Sequence, residues 1–228
     1  MNYYNNKQPN SMKQLLDMLV NDKIIVSNSV YNAMLKTDRY DFTDKNPYMN
    51  LAQDINYNSV ISQPLLHATD MELLVNYIKP GCRVLDVGCG SGYLCVAFSK
   101  LMNDEGLVVG IEHIKELADL SVKNISKNNK NLLDNGVIKI IEGDGRKGVP
   151  QYAPYQAINV GAVAPEPPKD IINQLAPGGR LVMPLGYNNG DQYIYAIDKD
   201  INGNIRSYKN MGVKYVPFGN KEDQIGKK

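Results

Sequence analysis

The sequence predicts an α/β fold: a doubly wound, mostly parallel sheet that ends in an antiparallel pair, with a small N-terminal helical cap. Three observations predict it. From Arg83 to Met183, short apolar runs alternate with helix-length amphipathic segments, the order that sets parallel strands side by side with helices on both faces. After Met183 the helical segments stop, and two strand-like runs flank Asn202-Gly203, a hairpin signal. Before residue 62 only two short helical patterns occur, so residues 1–61 read as a cap and loop, and 62–228 as the core of one compact unit.

The elements follow in order. Residues 1–10 are polar and read as irregular chain. Ser11 is placed to cap a helix whose Met12, Leu15, Leu16 and Leu19 share one face. A second helix covers Val30 to Leu35, and the polar stretch Thr37 to Tyr48 reads as loop. Pro64 suits a first helical turn; Leu66, Leu73, Leu74 and Ile78 give that helix its apolar face, and Pro80-Gly81 stops it. Strands are expected at Arg83–Val87, Leu107–Ile111, Val137–Ile141, Gln156–Val160 and Arg180–Met183, with helices at Leu94–Met102, Ile114–Ile125 and Asp170–Leu175. Asp191–Asp198 and Ile205–Val216 form the terminal pair. No internal repeat is present.

Composition narrows the function classes. The chain has 228 residues, is 43% hydrophobic and 21% charged, and carries a net charge of +1, which describes an ordinary globular protein without a field that gathers nucleic acid or an anionic membrane. The basic run Lys123 to Lys130 reads as a solvated helix end. The N-terminus has no apolar core of signal-peptide length, and no stretch is long enough to span a bilayer. Cys82, Cys89 and Cys95 are odd in number and match neither zinc nor redox spacing, so reduced thiols in the cytoplasm are expected. His67 and His113 are too few for most metal sites, and no metal is expected.

The strongest motif is Val84-Leu-Asp86-Val-Gly88-Cys-Gly90-Ser-Gly92, between the first core strand and its helix. Ligands of doubly wound folds bind at the carboxyl ends of the strands, where glycines let the backbone approach closely. A dinucleotide fingerprint needs G-x-G-x-x-G; here the third glycine comes one residue early, and no Walker lysine follows. D-x-G-x-G-x-G resembles instead the turn of Rossmann-like class I methyltransferases that bind S-adenosylmethionine. Glu112 ends the second strand, where a carboxylate accepts from ribose hydroxyls, and Glu142-Gly-Asp144-Gly145 ends the third, where the adenine is expected.

Longer segments sharpen the resemblance. Ala33–Arg39, Asn46–Met49, Ser59–Pro64, Leu85–Gly92, Gly110–Leu117, Gly143–Arg146, Ala153–Tyr155, Leu175–Leu181 and Gly212–Pro217 are similar to the protein L-isoaspartate (D-aspartate) O-methyltransferases over nearly the whole chain. That resemblance implies S-adenosyl-L-methionine as cofactor, S-adenosyl-L-homocysteine as product, and methylation of L-isoaspartyl carboxylates, with D-aspartyl residues as a second acceptor, to begin repair of damaged proteins and peptides. It implies a monomer, and the net charge and the lack of a spanning stretch lead to the expectation of no nucleic-acid or membrane partner. Ser62 matches the family's active-site serine. Ser59, Val60, Ile61, His67, Asp86, Gly88, Gly90, Glu112, His113, Asp144, Gly145 and Gln224 match its cofactor pocket. Gly219 stands where a threonine is expected and offers no hydroxyl, and Glu112 replaces the aspartate of the animal enzymes.

From the residues alone, Ser62 just before Pro64 also reads as a helix N-cap, and His67 as a hydrogen-bond partner or a packed ring. Three rivals differ in class. An amide or amine methyltransferase is disfavoured by Asn159-Val-Gly-Ala162, which lacks the Pro-Pro-aromatic signature, and Asn46-Pro47-Tyr48 lies before the glycine turn. A nicotinamide oxidoreductase is disfavoured by the glycine spacing. An inactive adenosylmethionine-binding module is disfavoured by intact Ser62, Asp86 and Glu112. Asn135-Gly136, Asn189-Gly190 and Asn202-Gly203 are expected to form isoaspartate as the protein ages, which would make the enzyme its own substrate.

Overall fold

A computed structural model describes residues 8–226. Of the polar N-terminal stretch, residues 1–7 lie outside the described residues, and 8–10 lead without regular structure to Ser11. The Ser11 hydroxyl accepts from the Gln14 N–H and starts α1 (Met12–Asn21). Leu15, Leu16 and Leu19 of that helix are fully buried; at roughly 1.5–3 kcal/mol for each buried side chain, they anchor the cap. α2 (Asn28–Leu35) follows, then a two-stranded ribbon of β1 (Gln53–Asp54) and β2 (Val60–Ile61), and α3 (Pro64–Leu74).

The main sheet is built from β3 (Arg83–Val87), β4 (Leu107–Glu112), β5 (Ile138–Glu142), β6 (Tyr155–Val160), β7 (Leu175–Gly186), β8 (Gln192–Lys199) and β9 (Ile205–Val213), in the order β5-β4-β3-β6-β7-β8-β9. The first five strands in that order run parallel; β8 then pairs antiparallel with β7, and β9 antiparallel with β8. Helices α4 (Tyr93–Leu101), α5 (Lys115–Asn128), α6 (Lys130–Asp134) and α7 (Lys169–Gln174) fill the crossovers, and α8 (Lys221–Ile225) closes the chain. β3 has β4 on one side and β6 on the other, so the winding direction reverses at β3 and a crevice opens at its carboxyl end.

Successive strand residues face opposite ways, and two apolar clusters result. Val84, Val108, Ala157 and Val182 pack with α4, α5 and the cap helices; Leu85, Val87, Val109, Ile158 and Leu181 pack with α7. The cap therefore shares the first face's core.

Several elements differ from expectation. α3 ends at Leu74, four residues before Ile78, which is buried beyond the helix. α5 runs on to Asn128, past the expected Ile125, and α6 follows it, with the lysines of the basic run exposed at the helix end as expected. β7 begins at Leu175, because Pro177-Gly178-Gly179 is an irregularity inside the strand and not a turn before it. Gly179 sits where a Cβ would lie 2.9 Å from the Gln156 and Ala176 carbonyls. The loop Thr37 to Tyr48 holds a helical turn at Arg39–Asp41, and Arg39 is wholly buried. β9 ends at Val213; the next residues leave the sheet, and Val163 bonds both Val216 and Phe218 across the strand ends. Among the described residues, no helix is long and apolar enough to cross a membrane.

Candidate active site

β3 carries Asp86 and Val87 into the glycine turn. Gly88, Gly90 and Gly92 have φ of +76°, +51° and +84°, a left-handed region that side chains resist. The Gly88 N–H donates to the Ile111 carbonyl, folding the turn over the end of β4. Glu112, 5% exposed, fastens it: Oε2 accepts from the Gly90 N–H at 3.2 Å and Oε1 from the Ile114 N–H at 3.1 Å. Asp86 is buried beneath. Asn159 Nδ2 donates to Oδ1 at 2.9 Å and the Cys95 thiol to Oδ2 at 3.4 Å. Burial pushes the Asp86 carboxyl up to about 6, against the pull of those two hydrogen bonds.

A cleft of about 610 Å³ opens above the turn. It brings together Ser59, Val60, Ser62, Gly88, Gly90, Glu112, His113, Gly145, Gly219 and Gln224. Ile61, His67 and Asp86 line a smaller recess that shares Val60, Ser62, Gly88 and Gly90 with the cleft. The C-terminal segment forms the facing wall, with Tyr215, Val216, Pro217 and Phe218. Gln224 clasps that wall to the cap. Its Nε2 donates to Ser59 Oγ at 2.7 Å and to the Tyr57 carbonyl at 2.9 Å, and its Oε1 lies 2.8 Å from His113 Nε2.

The Asp144 carboxylate accepts from Arg146 Nη2 at 2.7 Å and Nε at 2.9 Å, which holds the acid below its usual range, and its neighbour Gly145 lines the cleft. One expectation needs correction. Ser62 is not the N-cap of α3. Gln63 is, and its carbonyl accepts from the Leu66 and His67 N–H groups. Ser62 instead stands one residue outside, with its carbonyl accepting from Arg39 Nη2 at 2.7 Å and its hydroxyl against Tyr215.

His67 is packed and bonded at once. Arg39 Nη1 lies 3.3 Å from its Nδ1, and its ring stacks on Tyr93 at 4.7 Å. Burial first, then the Arg39 charge, hold the imidazole well below its ordinary value, so it is neutral. The sequence did not mark Arg39, Asp70, Tyr93 or Tyr215 as site residues. Asn159 carried a usable signal: it is the β6 residue in register with Asp86.

The surroundings fit a nucleoside cofactor without phosphates. A cleft of this size holds a small ligand. Gly145 is a cradle that a Cβ would fill, at 2.7 Å from Val87. Asn159 Oδ1 and the Tyr93 hydroxyl are buried without partners. At the glycine turn the cleft is lined by Glu112 and backbone groups, its lysine, Lys214, lies on the facing C-terminal wall, and among the described residues no group of three His, Cys, Asp or Glu is placed to hold a metal ion. Fold and cleft together define the class: an S-adenosylmethionine-dependent methyltransferase.

Comparison with known proteins narrows the class. The profile of the family described as protein-L-isoaspartate(D-aspartate) O-methyltransferase matches residues 10–223. A Caenorhabditis elegans protein-L-isoaspartate O-methyltransferase is 43% identical over 211 residues, 92% of this chain and 93% of the relative. An Arabidopsis thaliana protein-L-isoaspartate O-methyltransferase 1 is 42% identical over 219 residues, 95% of this chain and 94% of the relative. A Plasmodium falciparum structure described as a β-aspartate methyltransferase in complex with S-adenosyl-L-homocysteine superposes with a TM-score of 0.85 at 33% identity, covering 92% of this chain and 99% of that one. The chain belongs to the protein-L-isoaspartate (D-aspartate) O-methyltransferase family. Its cofactor is S-adenosyl-L-methionine, released as S-adenosyl-L-homocysteine.

Proposed function

We propose that this enzyme methylates the free carboxylate of L-isoaspartyl residues, and of D-aspartyl residues, in damaged proteins and peptides, working as a monomer in the cytoplasm with neither nucleic acid nor membrane as partner. The observation that carries this reading is the shared cleft. Ser62 and the extended Lys214–Pro217 segment stand in the same cavity as the glycine turn and Glu112, so a peptide strand and a cofactor can meet there.

The bound cofactor supplies an electrophilic methyl group on a sulfonium. The protein then has little bond-making to assist. The acceptor carboxylate has a reference pKa of about 4 and is already ionised at neutral pH, so no general base is needed. Alignment is the main task, and it supplies roughly 7–11 kcal/mol in favourable cases. Ser62 is placed to orient the acceptor: Arg39 fixes its carbonyl and Tyr215 borders its hydroxyl. Glu112 and the glycine turn hold the nucleoside side, and His113, Gln224 and Ser59 close over it. Residues 1–61 act in this reading as the cap of a methyltransferase core spanning 62–228.

Repair gives the test. The peptide N–H nitrogen that follows the methyl ester attacks its carbonyl and expels methanol, leaving a succinimide that water opens to aspartate or isoaspartate. Repeated turnover of a synthetic isoaspartyl peptide with S-adenosylmethionine should therefore accumulate the normal aspartyl peptide on reverse-phase chromatography. An isoaspartyl peptide that survives unchanged, with the cofactor bound, contradicts the reading.

A further inference from the structure

Below the cleft lies a polar recess of about 50 Å³ between α3, β3, α4 and the segment after β9. It has room for one small head group and opens to the cleft through Ser62, Gly88, Gly161 and Tyr215. Its wall is rich in acceptors. Asp70 is 5% exposed and Asp86 2% exposed, and both face the recess. Asn159 Oδ1 and the Tyr93 hydroxyl, also on this wall, are buried without partners. Among the described residues no lysine or arginine lines it. The nearby Arg39 is engaged with the Ser62 carbonyl and His67. The Tyr215 hydroxyl donates to Asp70 Oδ2 at 3.5 Å, linking the recess to the wall beside Ser62.

An anion has no place in such a wall, whereas a cation with N–H donors would satisfy it. The cofactor carries one on its amino-acid end. We propose that Asp70 is a cofactor-specificity residue: with Asp86 and Asn159 it takes the α-ammonium group of the cofactor, and entry of that cation drives a proton out of the Asp70–Asp86 pair. The proposal rests on the adenosylmethionine reading of the cleft.

Two carboxyls across so small a gap resist ionising together. Burial, then the facing Asp86, push Asp70 up to about 8, while burial pushes Asp86 to about 6. Facing each other away from water, the pair therefore keeps a proton well above the usual carboxylate range. The other titratable groups around it are His67, Tyr93, Cys89 and Tyr215 on the wall, Cys95 and Glu112 beside Asp86, and Arg39 behind His67. Burial holds His67, Tyr93 and Tyr215 neutral, and Cys95 is held neutral by its hydrogen bond with Cys89 and by burial.

Calorimetry in buffers of different ionisation enthalpy counts the proton. Wild-type enzyme should release most of one proton on binding S-adenosylhomocysteine at pH 7, and bind it more tightly as pH rises from 6 to 8. Asp70→Asn should release far less, lose that pH dependence, and bind about tenfold more weakly. 5′-Methylthioadenosine lacks the amino-acid end; it should bind both proteins equally without proton release, which also shows that the variant is folded. Equal affinity and equal proton release for S-adenosylhomocysteine in the two proteins overturn the role of Asp70 alone. Failure of the wild type to bind either nucleoside overturns the cofactor reading beneath it.

Discussion

Gln224→Ala tests whether the C-terminal turn is a clasp over the cofactor. The substitution removes three side-chain hydrogen bonds, to Ser59 Oγ, the Tyr57 carbonyl and His113. A typical net value is about 0.5–1.5 kcal/mol each, and these groups are partly reached by water, so the loss is about 2 kcal/mol in all. That corresponds to roughly a 30-fold shift in the equilibrium that holds α8 down. α8 has five residues and no buried side chain, and the contact that remains to the cap is Asn58 Nδ2 donating to the Gln224 carbonyl at 2.6 Å. Apparent affinity falls with the population of the closed form. The dissociation constant for S-adenosylhomocysteine, read by calorimetry, should therefore rise about 10- to 30-fold. The melting temperature should stay within about 2 °C, because the core is untouched. Hydrogen exchange at residues 221–225 should accelerate in the same variant. A dissociation constant within about twofold of wild type, with exchange at 221–225 unchanged, would refute the clasp.

Other substitutions probe other parts of the site. Glu112→Gln keeps an acceptor for one N–H but loses the charge; equilibrium dialysis should show cofactor affinity down about 10- to 100-fold, with turnover at saturating cofactor little altered, and unchanged affinity would remove Glu112 from the site. Gly145→Val meets Val87 at 2.7 Å and Phe218 at 3.3 Å from its Cβ onward, so it should cost about 1–3 kcal/mol of stability by denaturant titration and weaken cofactor binding; wild-type values for both would contradict the cradle. Asp70 titrates at about 8 in the fold against 3.8 unfolded, so the stability it contributes is complete below about pH 4 and lost as pH climbs through 8. Wild-type stability should thus fall by a few kcal/mol between pH 5 and pH 9, and Asp70→Asn should flatten that slope; an unflattened slope assigns it elsewhere. Asn135, Asn189 and Asn202 are all exposed before glycine, so aged enzyme should accept labelled methyl ester on its own chain, and mass spectrometry finding none at the three sites would end that idea.

Much of the fold was legible because its signals are local. The continuous buried run of β3 and the D-x-G-x-G-x-G turn each lie within a few residues, and the structure puts the strand at Arg83–Val87. The start of β7 was hidden by Pro177-Gly178-Gly179, whose composition reads as a turn although its backbone continues the sheet. The site was legible where it rests on turns and strand ends, as at Gly88 and Glu112. It was obscure where it rests on contacts far apart in sequence. Arg39 lies in a polar loop, and only its position under Ser62 and beside His67, 28 positions on, explains its burial. Asp70 and Tyr215 meet across 145 positions, which no periodicity encodes. The partner of Asp144 lies only two residues away, at Arg146, a contact that strand-end logic does not encode.

The central claim is damage-specific methyl transfer. Two synthetic peptides that differ only in L-isoaspartate against normal L-aspartate should be offered with methyl-labelled S-adenosylmethionine. Base-labile label on the isoaspartyl peptide alone is the predicted result. Equal labelling of both peptides, or none on either while the cofactor binds, would contradict the account and point to a different methyl acceptor.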